Sequence, residues 1–171
     1  MNAILILKKY SSDKKSFNNI LLHSMQVRDI ALDIARKAKE RLDLQLISDG
    51  AILHDIGRFE CTQGKNSAFH GITGGKIMEK EGLVKIKRIC ETHIGAGITK
   101  EEAILAGLPP NDFLPESFEE KIVCYADKLA GNYQNPEKNY EFELDLLKQR
   151  HGEKAFLRLK KLRKEIEKMS I

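Results

Sequence analysis

The chain has 171 residues, 42% of them hydrophobic and 32% charged. That length supports one well-buried core, the interspersed charge of both signs argues against disorder, and no apolar run is long enough to span a bilayer. A formal net charge of +4 does not by itself single out a nucleic-acid binder.

The opening "MNAILILKKY" sets a short apolar patch before its lysines, the reverse of the signal-peptide order, so neither export nor membrane insertion is expected. Cys61, Cys90 and Cys124 form no CxxC pair and make a poor disulfide framework, which fits a reducing cytoplasm; they read as buried or incidental thiols. From Phe17 to Leu42, residues such as Ile20, Val27, Ile30, Ala31, Ile34 and Ala38 keep the spacing of an amphipathic helix. A second helix is expected from Asp43 or Leu44, carrying Ile47, Ala51, Ile52 and Leu53 to His54 and Asp55, with Gly57 suited to loosening and ending it.

Residues 58–69 read as a surface loop. A short helix from about Gly71 to Lys80, an "EGL" turn and a helix from about Val84 to His93 follow. "TKEE" offers a capping box with Thr99 and Glu102, and Gly107 closes that short helix. The prolines of "LPPNDFLPE" make a rigid linker, and "SFEE" repeats the capping-box pattern to open a helix from Ser117 to Gly131. After the polar "NYQNPEKN" comes a long charged helix, broken near His151 and Gly152, with Phe156, Leu159, Leu162, Ile166 and Met169 on its apolar side. From Glu141 onward nine basic residues stand against six acidic ones. The run "KKLRK" there reads as a solvated helix face, with attraction to phosphate-rich ligands as the alternative. No period-two pattern competes, and an all-α fold is expected.

Chemistry concentrates in the histidines. His23, His54, His70 and His93 recur at the ends or inner faces of successive expected helices, Asp55 adjoins His54, and Asp127 interrupts the apolar stripe "IVCYADKLA". Helices can each present one or two inward ligands around a shared pocket, and mixed imidazole and carboxylate donors suit iron, manganese, cobalt or zinc better than calcium or magnesium. Taken singly, each residue has a plain alternative: a polar face for His23, a lysine partner for Asp127, a helix-terminal position for His93. The fifth histidine, His151, lies in the charged tail, and its replacement by alanine is expected to leave activity intact.

The order His23, His54-Asp55, Asp127, with "HDIG" around the central pair, resembles the HD superfamily of metal-dependent phosphohydrolases. The stretch from "LLHSMQVRDIA" to "EEKIVCYADKLAG" is similar to small archaeal HDIG proteins, and "FHG" at His70 with "THIG" at His93 looks like the subset with a second metal position, including bacterial HD-type diadenosine polyphosphate hydrolases. The likeness covers roughly residues 20–131 and leaves out the tail.

The resemblance implies an all-α HD-domain helical bundle with a central metal site in residues 1–140, and a charged C-terminal helix at 141–171 packed on it or extending from it. It implies one or two divalent transition-metal ions (Fe, Mn, Co or Zn), binuclear binding being favoured. His23, His54, Asp55 and Asp127 would hold the first ion, and Asp55, the catalytic carboxylate, would bridge to a second on His70 and His93. The activity implied is hydrolysis of a phosphomonoester, phosphodiester or phosphoanhydride of a nucleotide-like small molecule by hydroxide generated at the metal.

Arg58, where family members often carry lysine, and Lys128 are candidates for binding substrate phosphate, although Lys128 can equally point to solvent. The backbone of "GITGG" is a weaker anion site. Tyr125 and Phe113 read as core residues, with stacking on a base as the alternative. Membrane and nucleic-acid partners are not expected, and a homodimer stays open. The rival readings are a di-iron oxygenase on the same ligands, and a regulatory or nucleic-acid-binding protein using the basic tail.

Overall fold

A computed structural model describes residues 2–61, 68–131 and 135–169. Among them the chain is all-helical. It runs through α1 (Ala3–Tyr10), α2 (Lys14–Lys37), α3 (Leu44–Leu53), a 3-10 turn (Ile56–Phe59), α4 (Phe69–Lys80), α5 (Val84–Thr92), α6 (Lys100–Leu105), α7 (Phe118–Leu129) and α8 (Pro136–Met169). The part of the expected surface loop at 62–67 and of "NYQNPEKN" at 132–134 lies outside the described residues.

Helix α3 is the axle. Its Ile47 and Ala51 join an apolar cluster with Val27 and Ala31 of α2, Ile122 and Ala126 of α7, and Leu159 and Ile166 of α8. Its Ile52 and Leu53 join a second cluster with Leu7 of α1, Met78 of α4 and Ile86 of α5. Because α3 packs into both clusters, its C-terminal end, where His54 and Asp55 stand, is central.

The N-terminal patch, for which no helix is expected from sequence, folds as α1. Eight residues are marginal as an isolated helix, so packing decides: Leu7 is fully buried, Asn2 caps the start by accepting from the Leu5 N–H at 3.2 Å, and Tyr10 and Lys9 anchor the end on Glu81. Helix α2 starts earlier than expected because Asp13 accepts from the Lys15 and Ser16 N–H groups, each at 2.9 Å. Those bonds, that from the Ser16 N–H foremost, lower its carboxyl to about 2. The helix also ends earlier, at Lys37. Ala38 turns extended, and the Lys39 N–H donates to the Met169 carbonyl at 3.0 Å, a tertiary contact invisible in local periodicity.

Gly57 differs most from expectation. Its backbone is not left-handed, so it does not end a helix by taking up a glycine conformation. Instead the α-helix stops at Leu53, the chain tightens into the 3-10 turn, and a Cβ on Gly57 would collide with the His70 carbonyl and come within 2.5 Å of the Gly74 nitrogen. The residue is small so that the turn and α4 can touch. "GITGG" likewise lies inside α4, where Gly71 and Gly74 face Cys90 of α5; its glycines serve close helix packing.

Thr99 and Glu102 complete the expected capping box. Ser117 caps α7 by accepting from the Glu120 N–H, but the box is not closed, because the Glu120 carboxylate goes instead to Arg88 at 3.3 Å and to the Glu116 N–H at 2.9 Å. The linker is pinned by a two-way backbone pair between Ile98 and Phe113, at 3.0 and 2.8 Å. Phe113 and Tyr125 are core residues, 6% exposed each. Helix α8 is broken at Gly152, with φ of 79°, close to the expected position, and its Tyr140, Leu147, Ala155, Leu162 and Met169 are buried in the α2, α3 and α7 cluster. Among the described residues no helix is long and apolar enough to cross a membrane. All three cysteines are free, and burial pushes the Cys124 thiol up to about 12, which leaves it chemically quiet.

Candidate metal centre

Five elements contribute to one buried polar cluster. His23 comes from α2, His54 and Asp55 from the end of α3, His70 from the first turn of α4, His93 from the residue after α5, and Asp127 from the last turn of α7. Two of the three end positions, His54 and His93, follow their helices in the right-handed region, and each turns its ring back to bond Nδ1 to the carbonyl three residues earlier: His54 to Ala51 and His93 to Cys90, both at 2.8 Å. A carbonyl oxygen only accepts, so in both rings Nδ1 carries the proton and Nε2 of the neutral ring presents a lone pair.

Those lone pairs face carboxylates. His54 Nε2, fully buried, lies 3.7 Å from Asp55 Oδ2 and 3.6 Å from Asp127 Oδ1 and makes no hydrogen bond. The two oxygens of Asp55 divide the cluster. Oδ2 faces His23 at 3.8 Å and His54 at 3.7 Å, whereas Oδ1 faces His70 at 3.0 Å and His93 at 3.4 Å. His23 also meets Asp127 Oδ1 at 2.9 Å, and the Nε2 atoms of His70 and His93 are 3.0 Å apart.

Two ligand atoms about 2.1 Å from one ion at a tetrahedral angle stand roughly 3.4 Å apart. The donors also fall into three overlapping groups with all atoms within 4.8 Å of one another: His23, His54, Asp55; His54, His93, Asp127; and Asp55, His70, His93. These groups are able to bind metal. An orphaned lone pair between two carboxylates is the arrangement a cation stabilises, and imidazole with carboxylate favours a transition metal.

The charges agree. Burial would raise the Asp55 carboxyl, but His54, His70, His93 and Arg58 hold it well below the usual range. Asp127 is likewise held low against burial, by Lys128 first and then His23 and His54. Burial drives His93 down to about 4, keeping it neutral. His54, although buried, is raised by the neighbouring carboxylates of Asp55 and Asp127, so negative charge surrounds its Nε2.

Both expected phosphate-binding cations lie at the cluster, already engaged. Arg58 Nε is 2.6 Å from Asp55 Oδ2, with half its side chain exposed. Lys128, which sequence alone leaves free to face solvent, is buried and places Nζ 2.6 Å from Asp127 Oδ2, drawn in by that carboxylate. Two clefts open onto the centre and share Arg58. One, about 400 Å³, is lined by Ser12, Ser16, Asn19, His23, Asp55 and Phe59; the other, about 130 Å³, reaches His70, His93, Asp127 and the α8 residues Arg150 and His151.

His151, in the charged tail, is brought by α8 to the wall of the same site. Sequence did carry a signal, since Glu143, Leu146, Leu147, Arg150 and His151 share one helical face. Ser16 and Asn19 likewise share a face of α2 with His23, whereas for Ser12, before that helix, the sequence carried no signal.

Residues 20–132 match the HD domain family. The chain is 44% identical over 131 residues to an uncharacterised protein, MJ0778, of Methanocaldococcus jannaschii, covering 74% of this chain and 72% of that one. It is 41% identical to a tRNA (cytidine(56)-2'-O)-methyltransferase of Thermoplasma volcanium over 74% of this chain, and 37% identical to one of Picrophilus torridus over 96% of it. The matched stretches span only 35% and 45% of those two methyltransferases. The family match spans the expected stretch of roughly 20–131, while the Picrophilus likeness also takes in most of the C-terminal helix. No solved structure matches.

Proposed function

The chain belongs to the HD domain family, and on that premise we propose that it is a metal-dependent phosphohydrolase acting on a small nucleotide-like phosphate. The observation that supports this best is the pair of imidazoles, His54 and His93, whose Nδ1–H groups are fixed on backbone carbonyls so that both Nε2 lone pairs converge on buried carboxylates. In this reading His23, His54, Asp55 and Asp127 hold one ion, and Asp55 shares a second with His70 and His93. The chemistry such ions supply is activation of water near neutral pH and neutralisation of phosphoryl charge.

The chain's own residues set the geometry. Arg58 steadies Asp55 through Nε and keeps its terminal nitrogens for a phosphate, and its exposure toward both clefts suits that role. Lys128 fixes Asp127 and lowers the cost of burying it. The hydroxyls and amide of Ser12, Ser16 and Asn19 line the larger cleft and would solvate a sugar or leaving group.

The test is elemental analysis of protein purified without chelators, followed by phosphate-release assays over nucleotides with Mn, Fe, Co and Zn restored in turn. One or two transition-metal ions per chain and release from at least one nucleotide are expected, and Asp55→Asn should lose both. Full turnover in Asp55→Asn, or release from no phosphate ester with metal bound, would defeat the reading.

A second reading rests on the two relatives that join this domain to a tRNA methyltransferase: the phosphate hydrolysed would be carried by RNA. Phosphate release from a 3'-phosphorylated oligoribonucleotide at a rate well above that from mononucleotides would favour it, and the reverse preference would exclude it.

A further inference from the structure

Three features around α8 have no part in holding a metal. First, Arg150 and His151 stand on the wall of the 130 Å³ cleft, on the turn before the break at Gly152, and both are exposed. Second, Arg58 is anchored on Asp55 through Nε and serves the reacting phosphate, and Lys128 is held by Asp127, whereas Arg150 and His151 have no ion pair among the described residues and are the donors left for a further group. Glu143, the remaining charge on this wall, acts on Lys128, whose pKa it helps to raise. Third, on the other side of His151 lies a pocket of about 120 Å³ with Ile98, Ala106, Leu147 and Ala155 in its walls, more apolar than the cleft it adjoins. Ile94, Gly95, Leu147 and His151 line both spaces.

We propose that α8 forms the specificity wall of the site, with Arg150 and His151 binding a second phosphate of the substrate while its ring enters the adjoining apolar pocket. This rests on the phosphohydrolase reading for the reacting phosphate and adds the substrate class: a nucleoside carrying two linked phosphates. A guanidinium with no protein carboxylate to satisfy it pairs with phosphate through two parallel N–H donors. A small apolar pocket beside a few placed polar groups is the usual way to orient a ring. The break at Gly152 makes both possible, since it ends the face bearing Arg150 and His151 and redirects the chain so that Ala155 and Arg158 line the second pocket.

The experiment is titration calorimetry of the full-length, Mn-loaded protein with ADP, AMP and pyrophosphate, with metal content and Tm measured for every variant. Arg150→Gln should weaken ADP and pyrophosphate about tenfold and AMP much less, while Arg150→Lys restores part of the loss. Ala106→Leu, which fills the pocket from its partly exposed rim, should weaken ADP and AMP but spare pyrophosphate. ADP affinity within twofold of the parent in the Arg150→Gln, His151→Gln double variant would overturn the proposal, as would equal losses for ADP and pyrophosphate in Ala106→Leu. Because these arms read binding, they decide this inference even if no phosphate is ever released, a failure that would fall on the reaction alone.

Discussion

Lys128→Met gives the most direct test of whether Asp127 serves an ion. Lys128 Nζ is 2.6 Å from Asp127 Oδ2, and both side chains are close to a tenth exposed. Methionine keeps the volume of the stem and removes the charge, leaving a buried carboxylate with His23, at 2.9 Å, as its remaining close partner. Breaking a buried pair in this way costs about 3–5 kcal/mol, with the low end expected because His23 remains. For a chain of this size about 3 kcal/mol lowers Tm by roughly 6–12 °C. A divalent ion would restore the missing positive charge, so the loss should shrink to a few degrees in protein saturated with Mn, and Mn should bind more tightly because Lys128 no longer competes for Asp127. Differential scanning fluorimetry with and without metal, together with a Mn titration, measures both. Equal Tm losses in the two states, with unchanged Mn affinity, would refute the assignment of Asp127 to the metal centre.

Gly57→Ala should destabilise the protein by about 2–3 kcal/mol, because the added methyl meets the His70 carbonyl and the Gly74 nitrogen; urea denaturation would detect it, and a neutral result would show that turn and α4 can separate freely. Leu7→Ala should cost about 2–5 kcal/mol in the same assay, since Leu7 is wholly buried against α3 and α4, whereas a dispensable α1 would give almost no change. His93 yields a pH prediction for metal-free protein. Burial lowers it to about 4, so between about pH 6.5 and that value the unfolded chain binds a proton that the native state refuses. The stability contributed by neutral His93 is therefore full above about 6.5 and declines as pH falls through that window, by on the order of 3 kcal/mol. His93→Gln should lose this component of the slope, and parallel profiles for parent and variant would contradict it.

Local sequence carried much of the fold because its signals were local. Asp43, Thr99 and Ser117 each cap the helix that follows by accepting from its backbone, which needs no distant partner. His23, His54, Asp55, His70, His93 and Asp127 were singled out because polar ligands at helix ends and on apolar stripes are costly to bury without a reason. The errors share one cause. α1 forms because Leu7 packs, α2 stops because Lys39 pairs with the end of α8, and Glu120 leaves its capping box for Arg88. In each, a tertiary contact outweighed a local preference.

What the sequence determined by itself was the helical periodicity, the caps and the identity of a polar set suited to a metal, because residue type and spacing are enough to state them. Only the tertiary structure decided that Asp55 turns one oxygen to each histidine pair, that Lys128 bends inward to Asp127, and that α8 brings Arg150 and His151 to the same cleft. Those outcomes depend on distances between segments up to about a hundred residues apart, and only the packing of helices around α3 sets such distances.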